Sequence, residues 1–128
     1  MPTSYRLIDD VVQISLVGKN SPDDVIQTFH EALDNPATPT PFFLLVDVRE
    51  STSLATQPTS EIIRVAEHLG PYKDRVARCA VLATANVHFG LSRLGAVYSE
   101  TAGVMTSVFR DRDEALAWLH SGEESTNE

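Results

Sequence analysis

The chain has 128 residues, a size that fits one domain with a hydrophobic core of its own. Hydrophobic residues make up 42% and charged residues 22%, with a formal net charge of −8 and no Lys/Arg stripe. That balance argues against nucleic acid and against anionic membrane surfaces as partners.

The first two β-prone runs, Tyr5 to Ile8 and Val11 to Val17, flank Asp9-Asp10 and predict an antiparallel hairpin. In the second run Val12, Ile14 and Leu16 alternate with Gln13 and Ser15, so one face is buried and the other wet. Ser21 is placed to cap a helix, with Pro22 at its first position and Asp23 and Asp24 at its positive end. That helix reaches about Leu33 and turns Val25, Ile26, Phe29 and Leu33 inward. The proline-rich "DNPATPTP" is a stiff connection within the domain.

"FFLLVDV", Phe42 to Val48, is apolar up to Asp47 and reads as a strand buried on both faces. The following "RESTSLATQPTSE" reads as a hydroxyl-rich loop, longer than the usual two to six residues, able to act as a lid or docking surface. Thr59 or Ser60 is expected to cap a second helix, with Ile62, Ile63, Ala66 and Leu69 inward and a stop at Gly70-Pro71. A strand follows from Val76 to Ala83, then a helix from His88 to about Ser99 burying Phe89, Leu94, Val97 and Tyr98. A fifth strand spans Val104 to Phe109. The closing helix is expected to be capped by Asp111 with Glu114 completing a capping box, burying Ala115, Leu116, Trp118 and Leu119. The order β-β-α-β-α-β-α-β-α implies an α/β fold with a mixed, mostly parallel five-stranded sheet and four helices. The domain is expected to cover 1–120, with 121–128 as an acidic flexible tail.

The single cysteine, Cys79, excludes an internal disulfide and suits a reducing compartment. No basic segment leads into an apolar one at the start, and no apolar run approaches roughly 18 residues. The expectation is a cytoplasmic chain that does not span a membrane.

Ligands of open α/β sheets gather at the carboxyl ends of the parallel strands. Three segments arrive there: Asp47 and Arg49 with Ser51, Thr52 and Ser53; Thr84 with Asn86; and Arg110. A carboxylate ending a buried strand must find donors, and Asp47 either bonds the backbone of its own turn or orients a functional loop. The histidines, His30, His68, His88 and His120, lack the paired spacing of a metal helix, so no metal site is expected. Cys79 lies mid-strand among apolar neighbours, as an inert buried thiol would. Ser51 or Ser53 with His88 as base would make a hydrolase, but no G-x-S-x-G elbow is present. Phosphate-binding glycine loops are also absent. The expectation is a protein without enzymatic activity and without a cofactor.

From about Tyr5 to Leu119, with "LLVDVRE", "RVARCAVLA" and above all "FRDRDEALAWL", the chain resembles SpoIIAA-like domains of the STAS superfamily, some described as CRAL-TRIO-like. The resemblance implies four or five strands with helices mainly on one side. It also implies a regulatory or protein-interaction module in place of an enzyme. In anti-sigma factor antagonists of this kind an Asp-Ser-Ser-Gly motif after the central strand carries a phosphorylated serine. The matching region here is Asp47 to Ser53, where Val48, Arg49 and Glu50 precede any serine and no glycine follows Ser53. On this reading Asp47 orients a partner-binding loop, Arg49 offers a charged hydrogen bond, and Ser51 or Ser53 is the charge-sensitive position. The alternative implied is a cavity for a small apolar or lipid-like ligand, lined by Phe42, Leu44, Ile63, Leu69, Phe89, Leu94 and Tyr98. Such apolar stripes are also what any helix needs to pack on a sheet. Monomers and homodimers both occur among STAS-like domains, and nothing in the sequence chooses between them.

Overall fold

The hairpin opens the fold. β1 (Thr3–Ile8) and β2 (Val11–Gly18) pair antiparallel, and Asp9 adopts a left-handed φ of 56° at the turn between them. Asp tolerates that conformation because its short side chain can bond locally. The computed structural model describes residues 3–125. After β2 come α1 (Pro22–Leu33), β3 (Phe42–Ser51), α2 (Thr59–Glu67), β4 (Val76–Leu82), α3 (Asn86–Thr101), β5 (Thr106–Phe109) and α4 (Arg112–Ser125). This is the expected order of elements.

The five strands lie in the sheet in chain order, and every pair after the hairpin is parallel. From β2 onward each crossover therefore steps to the next strand in the same direction. Crossovers share one hand, so α1, α2 and α3 all fall on one face. α4 follows the last strand and covers the other face, against β3, β4 and β5. Two apolar clusters result. Val12, Ile14, Leu44, Val46 and Cys79 face α1 to α3, whereas Phe43, Leu45, Ala80 and Leu82 face Ala115 and Leu119 of α4.

Local chemistry sets the boundaries. Ser21 caps α1 as expected, its Oγ accepting from the Asp24 N–H at 3.1 Å. α2 starts differently: Pro58 occupies the cap position and no side chain caps the helix, so neither Thr59 nor Ser60 plays that part. β3 runs three residues past Val48, because Glu50 and Ser51 continue to pair with Val17 and Gly18 of β2. There Leu16 alone faces Val48 and Arg49, a β-bulge. The loop is correspondingly shorter than predicted, and one 3-10 turn (Leu54–Thr56) folds its middle.

α3 departs most from expectation. Its buried residues are His88, Ser92 and Ser99, while Val97 is 59% exposed. That stripe of small residues faces α2: a Cβ on Gly95 would meet Cγ2 of Ile62 at 3.5 Å, an ordinary contact. α4 continues to Ser125, so 121–125, assigned above to a flexible tail, is helical backbone. Each added residue of a formed helix gains a hydrogen bond, which carries it past the apolar stripe. Residues 126–128 of the predicted tail lie outside the described residues, as do 1 and 2.

Candidate functional site

Asp47 shares its parity along β3 with Phe43 and Leu45, so its side chain belongs to the α4 face of the sheet. It is 8% exposed and almost fully engaged by Arg49. Its Oδ1 accepts from the Arg49 backbone N–H and from Nε, both at 3.0 Å, and its Oδ2 accepts from Nη2 at 2.9 Å. Residues two apart share a face of a strand, which sets Arg49 beside the carboxylate, at the bulge. The Asp47 hydrogen bond raises the Arg49 pKa further, partly offset by burial, so the guanidinium is charged at any ordinary pH. The first sequence reading of Asp47 is the one seen here: it bonds the backbone of its own turn.

The hydroxyls beyond the strand are used internally. Ser51 Oγ accepts from the Leu54 N–H at 3.2 Å and starts the 3-10 turn. Ser53 is buried; its Oγ accepts from the Asn20 N–H at 3.0 Å, and Asn20 O lies 2.9 Å away as its acceptor. Gln57 Nε2 donates to the same carbonyl at 3.1 Å. The segment is thereby stitched to the β2–α1 connection. No described hydrogen bond joins His88 to either serine. His88 is itself buried, and its Nδ1 has no hydrogen-bond partner among the described residues.

At the third edge segment, Arg110 Nη1 donates to Thr84 O at 2.7 Å and Nη2 to Asn86 Oδ1 at 3.0 Å. Its guanidinium also lies over the Phe89 ring, 4.2 Å from the centroid. Cys79 is buried as expected, and burial pushes its thiol up to about 12. Among the described residues no group of three His, Cys, Asp or Glu side chains could hold a metal ion. None of the described helices is long and apolar enough to cross a membrane.

On the opposite face from Asp47, a half-enclosed apolar cavity of about 100 Å³ lies between α2, α3 and the sheet. Val46, Val48 and Val81 form its floor, Ile62, Val65, Ala66 and Leu69 one wall, and Leu91, Ser92, Gly95 and Ala96 the other. Leu54 and Gln57, from the segment after β3, also line it. Of the lining predicted from sequence only Leu69 is present. Phe42 and Leu44 are buried toward the start of β3, below the cavity, whose floor is the Val46–Val48 end. Ile63 is one position off the wall, because 100° of helix rotation separates it from Ile62. Phe89, Leu94 and Tyr98 are half-buried and outside the lining, for the small-residue stripe occupies the inward face. A cavity edged by Ser and Gly leaves no apolar periodicity to read; the signal was their i, i+3, i+7 spacing at Ser92, Gly95 and Ser99.

No family model matches the chain, and no curated protein does. Among solved structures it is similar to an uncharacterised protein of the DUF3478 family from Shewanella loihica, described as having a SpoIIAA-like fold. The two are 18% identical over 91% of each chain, with a TM-score of 0.56. At that identity the likeness concerns the fold, and the fold is SpoIIAA-like.

Proposed function

We propose that this protein is a non-enzymatic binding module whose ligand is a small apolar molecule held between α2, α3 and the sheet. The observation that carries the reading is the apolar cavity of about 100 Å³. A single water needs about 10–15 Å³ of such space, so there is room for roughly seven to ten atoms of a ligand. A mostly apolar pocket with a few polar groups, here Gln57, Ser92, Ser99 and Thr106, is the usual form of a small-molecule site. A regulatory role would follow from occupancy, since the ligand would touch both α2 and α3.

Native mass spectrometry of the protein purified from its own cells is the test, with an apolar adduct expected that organic extraction removes. A clean apo mass, with no shift of the Ile62, Val65 and Gly95 amide signals on adding 1-hexanol, would overturn the reading.

Partner docking through Asp47 and Arg49 is the second reading. The exposed Arg49 and Glu50 at the carboxyl edge of the sheet support it. Its phosphoserine form has less support, since Ser51 and Ser53 are both buried and their hydroxyls bonded.

A further inference from the structure

We infer that the cavity between α2, α3 and the sheet takes an uncharged alcohol, an apolar body ending in a hydroxyl that bonds Ser92 or Ser99. This rests on the reading of the cavity as a ligand site and adds the chemical class of the ligand.

Two hydroxyls in the cavity wall lack a partner. Ser92 and Ser99 both line the cavity, and they are 8% and 4% exposed. A hydroxyl inside a helix commonly donates to the carbonyl four residues earlier. Thr28 does so to Asp24 O and Thr101 to Val97 O, both at 3.0 Å. Ser92 and Ser99 do not, and neither hydroxyl is hydrogen-bonded to any described residue. Unlike Nδ1 of His88, neither oxygen is sealed off from open space. Buried polar groups are nearly always satisfied, so two free hydroxyls facing a cavity call for a partner that binds there.

The rest of the lining sets the charge and kind of that partner. It contains no Asp, Glu, Lys, Arg or His among the described residues. An ionised head would lose its water there and meet no opposite charge, which makes the ligand neutral. Of the other polar groups, Thr106 Oγ1 already donates to Val104 O at 2.9 Å. Gln57 Nε2 donates to Asn20 O at 3.1 Å, which leaves its Oε1 as a spare acceptor. A hydroxyl accepts from a serine and donates to a serine or to Gln57, whereas a carbonyl only accepts. An alcohol therefore matches every free group. Ser92 and Ser99 are two helical turns apart, about 10 Å along the axis, so a single head meets one of them.

The test is a set of amide NMR titrations at neutral pH with 1-hexanol, 1-fluorohexane and hexanoate. The first two are close in size and uncharged, and fluorine replaces the hydroxyl; hexanoate adds a charge. Wild-type protein is expected to bind 1-hexanol about tenfold more tightly than 1-fluorohexane, and hexanoate more weakly than 1-hexanol. A wall without hydrogen bonds to give would favour the less polar 1-fluorohexane. The double variant Ser92→Ala, Ser99→Ala is expected to reverse the preference and keep 1-fluorohexane binding in place. Equal or tighter binding of 1-fluorohexane by the wild type, tighter binding of hexanoate, or an unchanged preference in the double variant overturns the alcohol inference while the cavity reading stands. If neither uncharged compound shifts the cavity signals, the cavity reading falls and the inference with it. The wild-type comparison decides alone, should the double variant fail to fold.

Discussion

The hydroxyl of Ser53 is clamped by Asn20, thirty-three positions earlier, accepting from its backbone N–H and lying 2.9 Å from its carbonyl oxygen. That pair joins the end of β3 to the start of α1 and determines what substitution of Ser53 does. Ser53→Ala removes the acceptor for the Asn20 N–H in a buried setting, at a cost of about 1–2 kcal/mol. Ser53→Asp costs more, because a carboxylate there faces the Asn20 backbone and side-chain oxygens with no proton to offer. Thermal melts are expected to rank wild type above Ser53→Ala above Ser53→Asp. A Ser53→Asp protein as stable as wild type would instead restore Ser53 as a charge-operated switch.

Arg49→Ala and Arg49→Lys are expected to behave alike. The Asp47 carboxylate is gripped by a fork of two guanidinium donors, and a lysine cannot reproduce that geometry. Arg49 is partly exposed, so the loss is discounted for solvent to about 1 kcal/mol, or roughly 3–5 °C in Tm for a chain of this size. Differential scanning calorimetry measures it. Full retention of stability by Arg49→Lys would show that charge alone, and not the fork, matters.

Two glycines in α3 separate helix propensity from packing. At Gly90 a Cβ meets nothing within 4 Å, and Gly90→Ala is expected to stabilise by about 1 kcal/mol through propensity alone. At Gly95 the new methyl meets Ile62 in ordinary contact, so Gly95→Ala is also stabilising. Gly95→Leu fills the cavity and overpacks the α2 contact, lowering stability by about 1–3 kcal/mol and removing ligand binding. Chemical denaturation of the three variants, with 1-hexanol titrations, tests the set.

Acid weakens the protein through His68. Burial lowers its pKa below the ordinary value, reinforced by the neighbouring His30, whose ring lies 5.7 Å away, and by Arg64; Glu67 opposes the shift. His30 in turn is 2.7 Å from the Tyr72 hydroxyl through its Nδ1. A depressed folded-state pKa means the unfolded chain takes up the proton first. This contribution to stability is therefore present above about pH 6.5 and is lost as pH falls through the lower folded value. Melts at pH 7.5 and 5.5 should show a larger drop for wild type than for His68→Gln. Equal drops would assign the acid sensitivity elsewhere.

Much of the architecture was legible because it rests on local chemistry. The Ser21 cap, the alternation in β2, the unbroken apolar run of β3 and the element order all depend on neighbours in sequence. The rest depended on partners far along the chain. Arg49, Glu50 and Ser51 look like loop, yet pairing with β2 keeps them in the strand. Ser53 reads as a solvent hydroxyl until Asn20 is placed beside it. On α3 the large apolar residues do not mark the inward face, whose buried residues are His88, Ser92 and Ser99. Ser92, Gly95 and Ser99 line the cavity there, while Val87 and Val97 lie at the surface. The predicted cavity was in the right layer with the wrong lining for that reason.

The bulge in β3 sets two chemistries back to back. Val48 forms part of the floor beneath the apolar cavity, and the next residue, Arg49, holds the Asp47 carboxylate on the sheet's other side. One planar peptide bond separates them. The apolar floor of the cavity and the charged fork are thus consecutive residues of one strand.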